Sequence, residues 1–169
     1  MPSWSIHLAI AKEVNKILKL DKDLFYFGNL IPDVDWGTSI NRYQAHFYND
    51  KKRYQKCKSE IMIDIEAFIK CYKNDLKNDL ILGYLSHLLA DSFYNEFVYT
   101  NAWVQDNNDN VVGIKFNNGK IKKIDINDKK REKRKYKHYD LELYGKYLFK
   151  DGFVNLPTNK KVVLDNVKI

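Results

Sequence analysis

The chain has 169 residues, 29 Lys+Arg against 22 Asp+Glu, four His, and a composition that is 44% hydrophobic and 14% aromatic. That length gives one domain with a core of its own, and the apolar content excludes a disordered chain. No apolar run reaches the roughly 18 residues of a membrane span, and the opening MPSWSIHLAIAKE has neither the basic start nor the apolar stretch of a leader, so a soluble, cytoplasmic protein is expected.

The net charge of +7 is unevenly placed. Residues 1–110 hold 13 basic and 15 acidic side chains, a net of −2, whereas residues 111–169 hold 16 and 7, a net of +9. The excess is lysine, 25 Lys to 4 Arg, and lysine is weaker evidence for nucleic-acid recognition than arginine. Nucleic acid is therefore a partner the composition allows without favouring.

In chain order, Ser3 or Ser5 caps a first helix in which Ile6, Ile10, Val14, Ile17 and Leu18 recur at helical spacing, with His7 beside that stripe. The stretch DLFYFGNLIPDVDWG (23–37) starts as a short helix broken by Gly28 and Pro32, leaving Asp33 and Asp35 in a loop. A short segment at 42–50 carries His46. A long amphipathic helix is expected from about 51 to 72, with Ile61, Ile65, Phe68, Ile69 and Tyr72 inward. It would contain Cys57 and Cys71 as reduced thiols.

Residues 80–98 (LILGYLSHLLADSFYNEFV) are apolar nearly all round, the pattern of a central helix covered on every side, with Gly83 admitting a close neighbour. At 109–126 the period changes, and NNGK between VVGIKF and IKKIDI predicts a β-hairpin. The basic run KKREKRKYK (129–137) leads into a helix to about 152, read as a solvated face more readily than a binding site, and a β-like tail follows at 156–169. The expectation is one mainly α domain over 1–169, with core helices in 1–98 and a small hairpin insertion near its C-terminal third.

The chemistry rests on histidines. There is no glycine-rich phosphate loop, no Cys-x-x-Cys pair and no nucleophile elbow. Three of the four His have a carboxylate four residues on: His46 with Asp50, His87 with Asp91 and His138 with Glu142. For His46 a surface ion pair explains the spacing. For His87 and Asp91 it does not, because a His and an Asp inside an apolar segment need a metal or a hydrogen-bond network to offset their burial. One helical face then presents both, and imidazole with carboxylate suits zinc, iron or manganese. Phe47, Tyr48, Tyr84, Phe93 and Tyr94 either wall a cleft beside these groups or are plain core.

The arrangement resembles the zinc-dependent phospholipase C family, the all-helical group that includes the P1-type nucleases. The residues that carry the resemblance are MPSWSIHLAIA with His7, FGNLIPD with Asp33, AHFY with His46, and YLSHLLAD with His87 and Asp91, in family order over residues 1–98. The resemblance implies a helical bundle of the phospholipase C and P1 nuclease type and a zinc cluster in a cleft. His46, His87 and Asp91 would hold one ion, and His7 with Asp91 would stand at a neighbouring one. Asp33 would be the catalytic group that handles the attacking water, and His138 with Glu142 would complete the second metal. The family's secreted enzymes use an N-terminal Trp and a further His after the central motif; here Trp4 is internal and position 97 is Phe. One or two ions are expected, with Asn95, Glu96 and Asp140 as open substitutes.

The expected function is metal-dependent phosphoester hydrolysis of a phosphoester or phospholipid substrate. Two alternatives stay open: a nuclease-like phosphodiesterase, and a non-enzymatic metal-stabilised helical module. The apolar end at Ile169 leaves a homo-oligomer open as well.

Overall fold

The computed structural model describes residues 2–34, 41–54, 57–116, 118–125 and 131–132. In chain order the elements are helix α1 (Trp4–Leu18), helix α2 (Lys22–Leu30) with a 3-10 turn (Ile31–Asp33), the one-turn helix α3 (Arg42–Ala45), strands β1 (Tyr48–Tyr54) and β2 (Cys57–Ile63), helix α4 (Ile65–Cys71), helix α5 (Asp79–Asn101), and strands β3 (Trp103–Gln105), β4 (Val111–Lys115) and β5 (Ile121–Lys123). The architecture is mainly helical with two small antiparallel sheets, β1-β2 and β3-β4-β5, so it is more than a helical bundle. No helix among the described residues is long and apolar enough to cross a membrane.

The centre of the fold is the crossing of α2 and α5, and two glycines set its distance. A Cβ built on Gly28 would stand 1.9 Å from the Leu80 carbonyl oxygen, and one on Gly83 would stand 2.0 Å from the Phe25 carbonyl oxygen. Each helix thus presses its backbone into a glycine of the other, which no larger residue permits. Gly83 behaves as its sequence setting predicts. Gly28 does not break α2; it lies inside the helix, and close approach is the reason for it. Asp21 caps α2 by accepting from the Leu24 N–H at 2.9 Å, and its own N–H donates to Asp79 Oδ2 at 2.6 Å, fixing the start of α2 to the start of α5.

Around this crossing lies a core of Phe27, Ile31, Ile63, Phe68, Tyr72, Leu80, Ile81, Tyr84 and Leu88. Phe47 packs against it, with its ring centroid 5.2 Å from that of Phe68. Tyr84 and Phe47 are therefore core and not cleft wall. A second cluster of Tyr99, Trp103, Val111 and Ile114 joins the end of α5 to the three-stranded sheet.

The long helix expected at 51–72 is replaced by a β-hairpin and the short α4. The strands pair Tyr48 with Ile63 and Tyr54 with Cys57, and Tyr54 and Ile63 are buried. Helical spacing holds only from Ile65 onward, whereas the earlier part is lysine-rich with few apolar anchors, so tertiary pairing decides its conformation. Asp64 makes the break: it accepts from the Ala67 N–H at 3.2 Å as the cap of α4, and also from Asn49 Nδ2 at 2.7 Å and Lys52 Nζ at 3.0 Å. Cys71 is exposed and is not in a disulfide.

The hairpin read at 109–126 is present as β4 and β5, with Ile114 opposite Lys122 and Gly119 at φ 79° in the turn. Strand β3 adds an edge the sequence does not announce. On the far side of α5 the stripe read from α1 is only partly covered: Ile17 is 81% exposed and Leu18 52%. Ile10, Val14, Leu85, Leu89, Phe93 and Phe97 line an apolar groove there of about 570 Å³. Phe93 is 69% exposed and belongs to this groove, away from the polar cluster. The run at 129–137, apart from Arg131 and Glu132, and the tail at 156–169 lie outside the described residues.

Replacement of Gly83 by Ala drives a methyl group into backbone. We expect a loss of about 3 kcal/mol or more in stability by denaturant titration, at the upper end of overpacking penalties. A loss under about 1 kcal/mol would show that the two helices are not packed this closely.

Candidate metal centre

Four elements deliver polar side chains to one point. α1 supplies His7 and the 3-10 turn supplies Asp33. His46 caps the end of α3, and α5 supplies His87 and Asp91 one turn apart. His7, His46, His87 and Asp91 are fully buried, and the Asp33 side chain is 7% exposed.

Backbone carbonyls orient two of the rings. His87 Nδ1 donates to the Asn29 carbonyl oxygen at 2.7 Å, and His46 Nδ1 donates to the Arg42 carbonyl oxygen at 2.9 Å. A neutral ring held this way turns its Nε2 lone pair inward, the second-sphere arrangement typical of metal-ligating histidine. Asn29, itself fully buried, ties the elements further: with its amide oriented to satisfy both ends, it donates to the His7 carbonyl oxygen at 3.1 Å and accepts from the His87 backbone N–H at 3.3 Å. The Tyr84 hydroxyl donates to the Ala45 carbonyl oxygen and so pins α3 to α5.

The inward atoms are mostly acceptors facing acceptors. His46 Nε2 lies 3.3 Å from Asp33 Oδ1 and 3.5 Å from Asp91 Oδ2. His87 Nε2 lies 3.8 Å from Asp91 Oδ2 and 4.0 Å from Asp33 Oδ1. His7 Nε2 approaches Asp91 Oδ1 to 3.1 Å without hydrogen-bond alignment, and the His7 and His87 rings stack with centroids 3.8 Å apart. Both His7 ring nitrogens, Nε2 of His46 and His87 and both Asp91 oxygens are buried without a hydrogen-bond partner, whereas Asp33 Oδ1 is met by the Arg42 guanidinium. Each such atom costs about 1–3 kcal/mol if left so. Two overlapping donor sets share His87: His46, His87 and Asp91, and His7, Asp33 and His87, with ligand atoms within 4.8 Å of one another. A divalent cation answers the lone pairs of either set, so the residues present fit a metal.

A model of zinc dependent phospholipase C matches residues 6–167. The chain belongs to the zinc-dependent phospholipase C family. No curated protein and no solved structure matches it. The matched stretch contains every candidate residue from His7 to Glu142, and the buried His and Asp groups can hold the metal ion that a zinc-dependent phospholipase C requires.

Within this family site, the structure brings together His7, Asp33, His46, His87 and Asp91. His138 and Glu142 lie outside the described residues. His46 does not form the helical pair with Asp50 that spacing allowed: α3 ends at Ala45, Asp50 lies in β1, and the His46 ring turns inward to Asp33 and Asp91. Sequence reasoning missed Asn29 and Arg42. Asn29 sits inside the FGNLIPD motif that carries Asp33, the signal that was available for it. Arg42 forms an ion pair from NH1 to Asp33 Oδ1 at 2.5 Å, a contact between segments that no spacing reveals. Tyr48, from β1, stacks on His46 at 5.5 Å.

The electrostatics follow from burial and proximity. Burial pushes the Asp33 carboxyl up, but His46, His87 and Arg42 outweigh it and hold the group well below the usual carboxylate range. Asp91 is likewise held low by His7 and His87 against its burial. His87 is pushed down to about 3, chiefly by burial and then by His7, with Asp91 and Asp33 opposing.

These shifts all destabilise the metal-free fold in acid. Between about 6.5 and about 3 the unfolded chain protonates His87 and the folded chain does not, so stability falls as pH drops through that window. The depressed carboxylates contribute stability above their unfolded value of 3.8 and lose it further down. The melting temperature of chelator-treated protein should therefore fall steadily from pH 7 to pH 4; a flat profile would contradict the neutral, buried His87.

Proposed function

We propose that this chain hydrolyses phosphoesters in the manner of a phospholipase C, with zinc held by His7, Asp33, His46, His87 and Asp91. The observation that carries the reading is the set of buried, inward-facing imidazole and carboxylate atoms left without a hydrogen-bond partner. Membership of a zinc-dependent family supports it, and His138 with Glu142 would add ligands from the C-terminal third. His46, His87 and Asp91 form the first ion's donor set, and His7 with Asp33 extends it toward a second; one or two ions is the expected loading.

Zinc bound there supplies Lewis acidity toward a phosphoryl oxygen and lowers the pKa of water toward 7. The protein's own residues supply orientation. The carbonyls of Asn29 and Arg42 keep the His87 and His46 rings aimed inward, so the donor set is preorganised. Asp33, held ionised by its neighbours and slightly open to solvent, accepts a hydrogen bond from the attacking water and orients it in line with the leaving oxygen. Its depressed pKa makes it a better orienter than proton acceptor. The water oxygen forms the new bond to phosphorus, the bond to the leaving alkoxide breaks, and the proton that the water loses ends on that alkoxide as the product alcohol.

Replacement of Asp33 by Asn keeps the side chain's size and removes its charge. Phosphodiesterase activity of the zinc-loaded variant, measured on a chromogenic phosphodiester, should fall by about 10²-fold or more in kcat, the scale of misplacing a reactant. Undiminished activity with full zinc content would remove Asp33 from the mechanism. Absence of activity in zinc-loaded wild-type protein on phospholipid, phosphodiester and nucleic-acid substrates alike would favour the metal-stabilised binding module.

A further inference from the structure

The hydrolase reading, on which this inference rests, leaves one requirement unmet by the donor set. A phosphoester is an anion, and the pocket it must enter is built from two ionised carboxylates. Among the described residues, the ion-pair partners of Asp33 and Asp91 are three imidazoles and one permanent cation, Arg42.

Arg42 is placed for contact with substrate in three respects. Its NH1 meets Asp33 Oδ1, the same oxygen that faces His46 Nε2 and His87 Nε2, so the guanidinium stands one atom away from the atoms that can hold metal. Its side chain is 37% exposed, whereas the side chains of His7, His46, His87 and Asp91 are fully buried and that of Asp33 is 7% exposed. Among the described residues it is therefore the charged group through which this cluster reaches solvent. Its backbone is fixed as well. Asn41 and Gln44 form a reciprocal capping box around α3, and the Arg42 carbonyl accepts from both the backbone N–H and Nδ1 of His46. A guanidinium offers a planar fork of donors that suits phosphate oxygens, and its charge does not depend on pH in the working range.

We propose that Arg42 is the phosphate-binding residue of this site, receiving a non-bridging oxygen of the substrate at the mouth of the cluster and selecting for an anionic phosphoester. Asp33 holds the guanidinium at that mouth, so a single ion pair links the residue that orients water to the residue that receives the phosphate.

The test uses the full-length, zinc-loaded chain with inorganic phosphate as the probe, titrated calorimetrically, together with zinc content by elemental analysis. Arg42→Gln should keep the wild-type zinc content and bind phosphate at least tenfold more weakly, while Arg42→Lys, which keeps the charge and not the fork, should fall between the two. Wild-type phosphate affinity in Arg42→Gln would overturn the proposal and leave the hydrolase reading standing. Parallel loss of zinc and phosphate in Arg42→Gln, with both retained in Arg42→Lys, would also overturn it, since Arg42 would then only support Asp33 as a ligand. Wild-type protein that takes up no zinc would remove the hydrolase reading and this proposal together.

Discussion

The close crossing of α2 and α5 is the constraint on which the rest depends. With Gly28 against Leu80 and Gly83 against Phe25, the two backbones meet without side chains between them. Only at that distance does the Asn29 carbonyl reach His87 Nδ1, and only then does one buried amide touch both the His7 carbonyl and the α5 backbone. The same helix carries Tyr84 to the carbonyl of Ala45, which sets the one-turn α3 and the His46 that follows it. Steric freedom at two positions thus fixes the aim of His87 and the placement of two further elements, α1 and α3.

What these contacts build conflicts with ordinary folding economy. Interiors satisfy their polar atoms, and this one gathers lone pairs against lone pairs under full burial. An apolar replacement of the cluster would suit the fold alone better. Sites where sequence and structure break a local rule are where function is expected. A turn of strained backbone lies at the same place: Phe47, directly after His46, has φ 51°, in the left-handed region that a bulky residue rarely adopts. That conformation turns the chain from α3 into β1 and leaves His46 facing inward while Phe47 packs in the core.

The sequence made some of this legible for clear reasons. A His and an Asp four apart in an otherwise apolar helix cannot be a surface pair, so α5 announced itself as the site's main wall. Asn-Gly between β-type runs announced the second hairpin. The first hairpin was hidden because Lys, Glu and Ile read equally well as an amphipathic helix, and only the cross-strand pairing of Tyr48 with Ile63 and Tyr54 with Cys57 tells them apart. Gly28 reads as a helix breaker in isolation, since its partner Leu80 is 52 positions away. Arg42 was silent for the same reason: its role is a contact with Asp33, nine positions earlier, and no periodicity encodes such a contact.

The central claim is that buried imidazole and carboxylate groups of this chain hold zinc. Zinc-edge X-ray absorption of the zinc-loaded, full-length protein tests it most directly, because it reads the ligand atoms themselves. The account predicts a nitrogen and oxygen shell near 2.0–2.2 Å with the multiple scattering of two or more imidazoles. A shell with sulfur near 2.3 Å, implicating Cys57 or Cys71, or zinc that is lost on gel filtration, would contradict it.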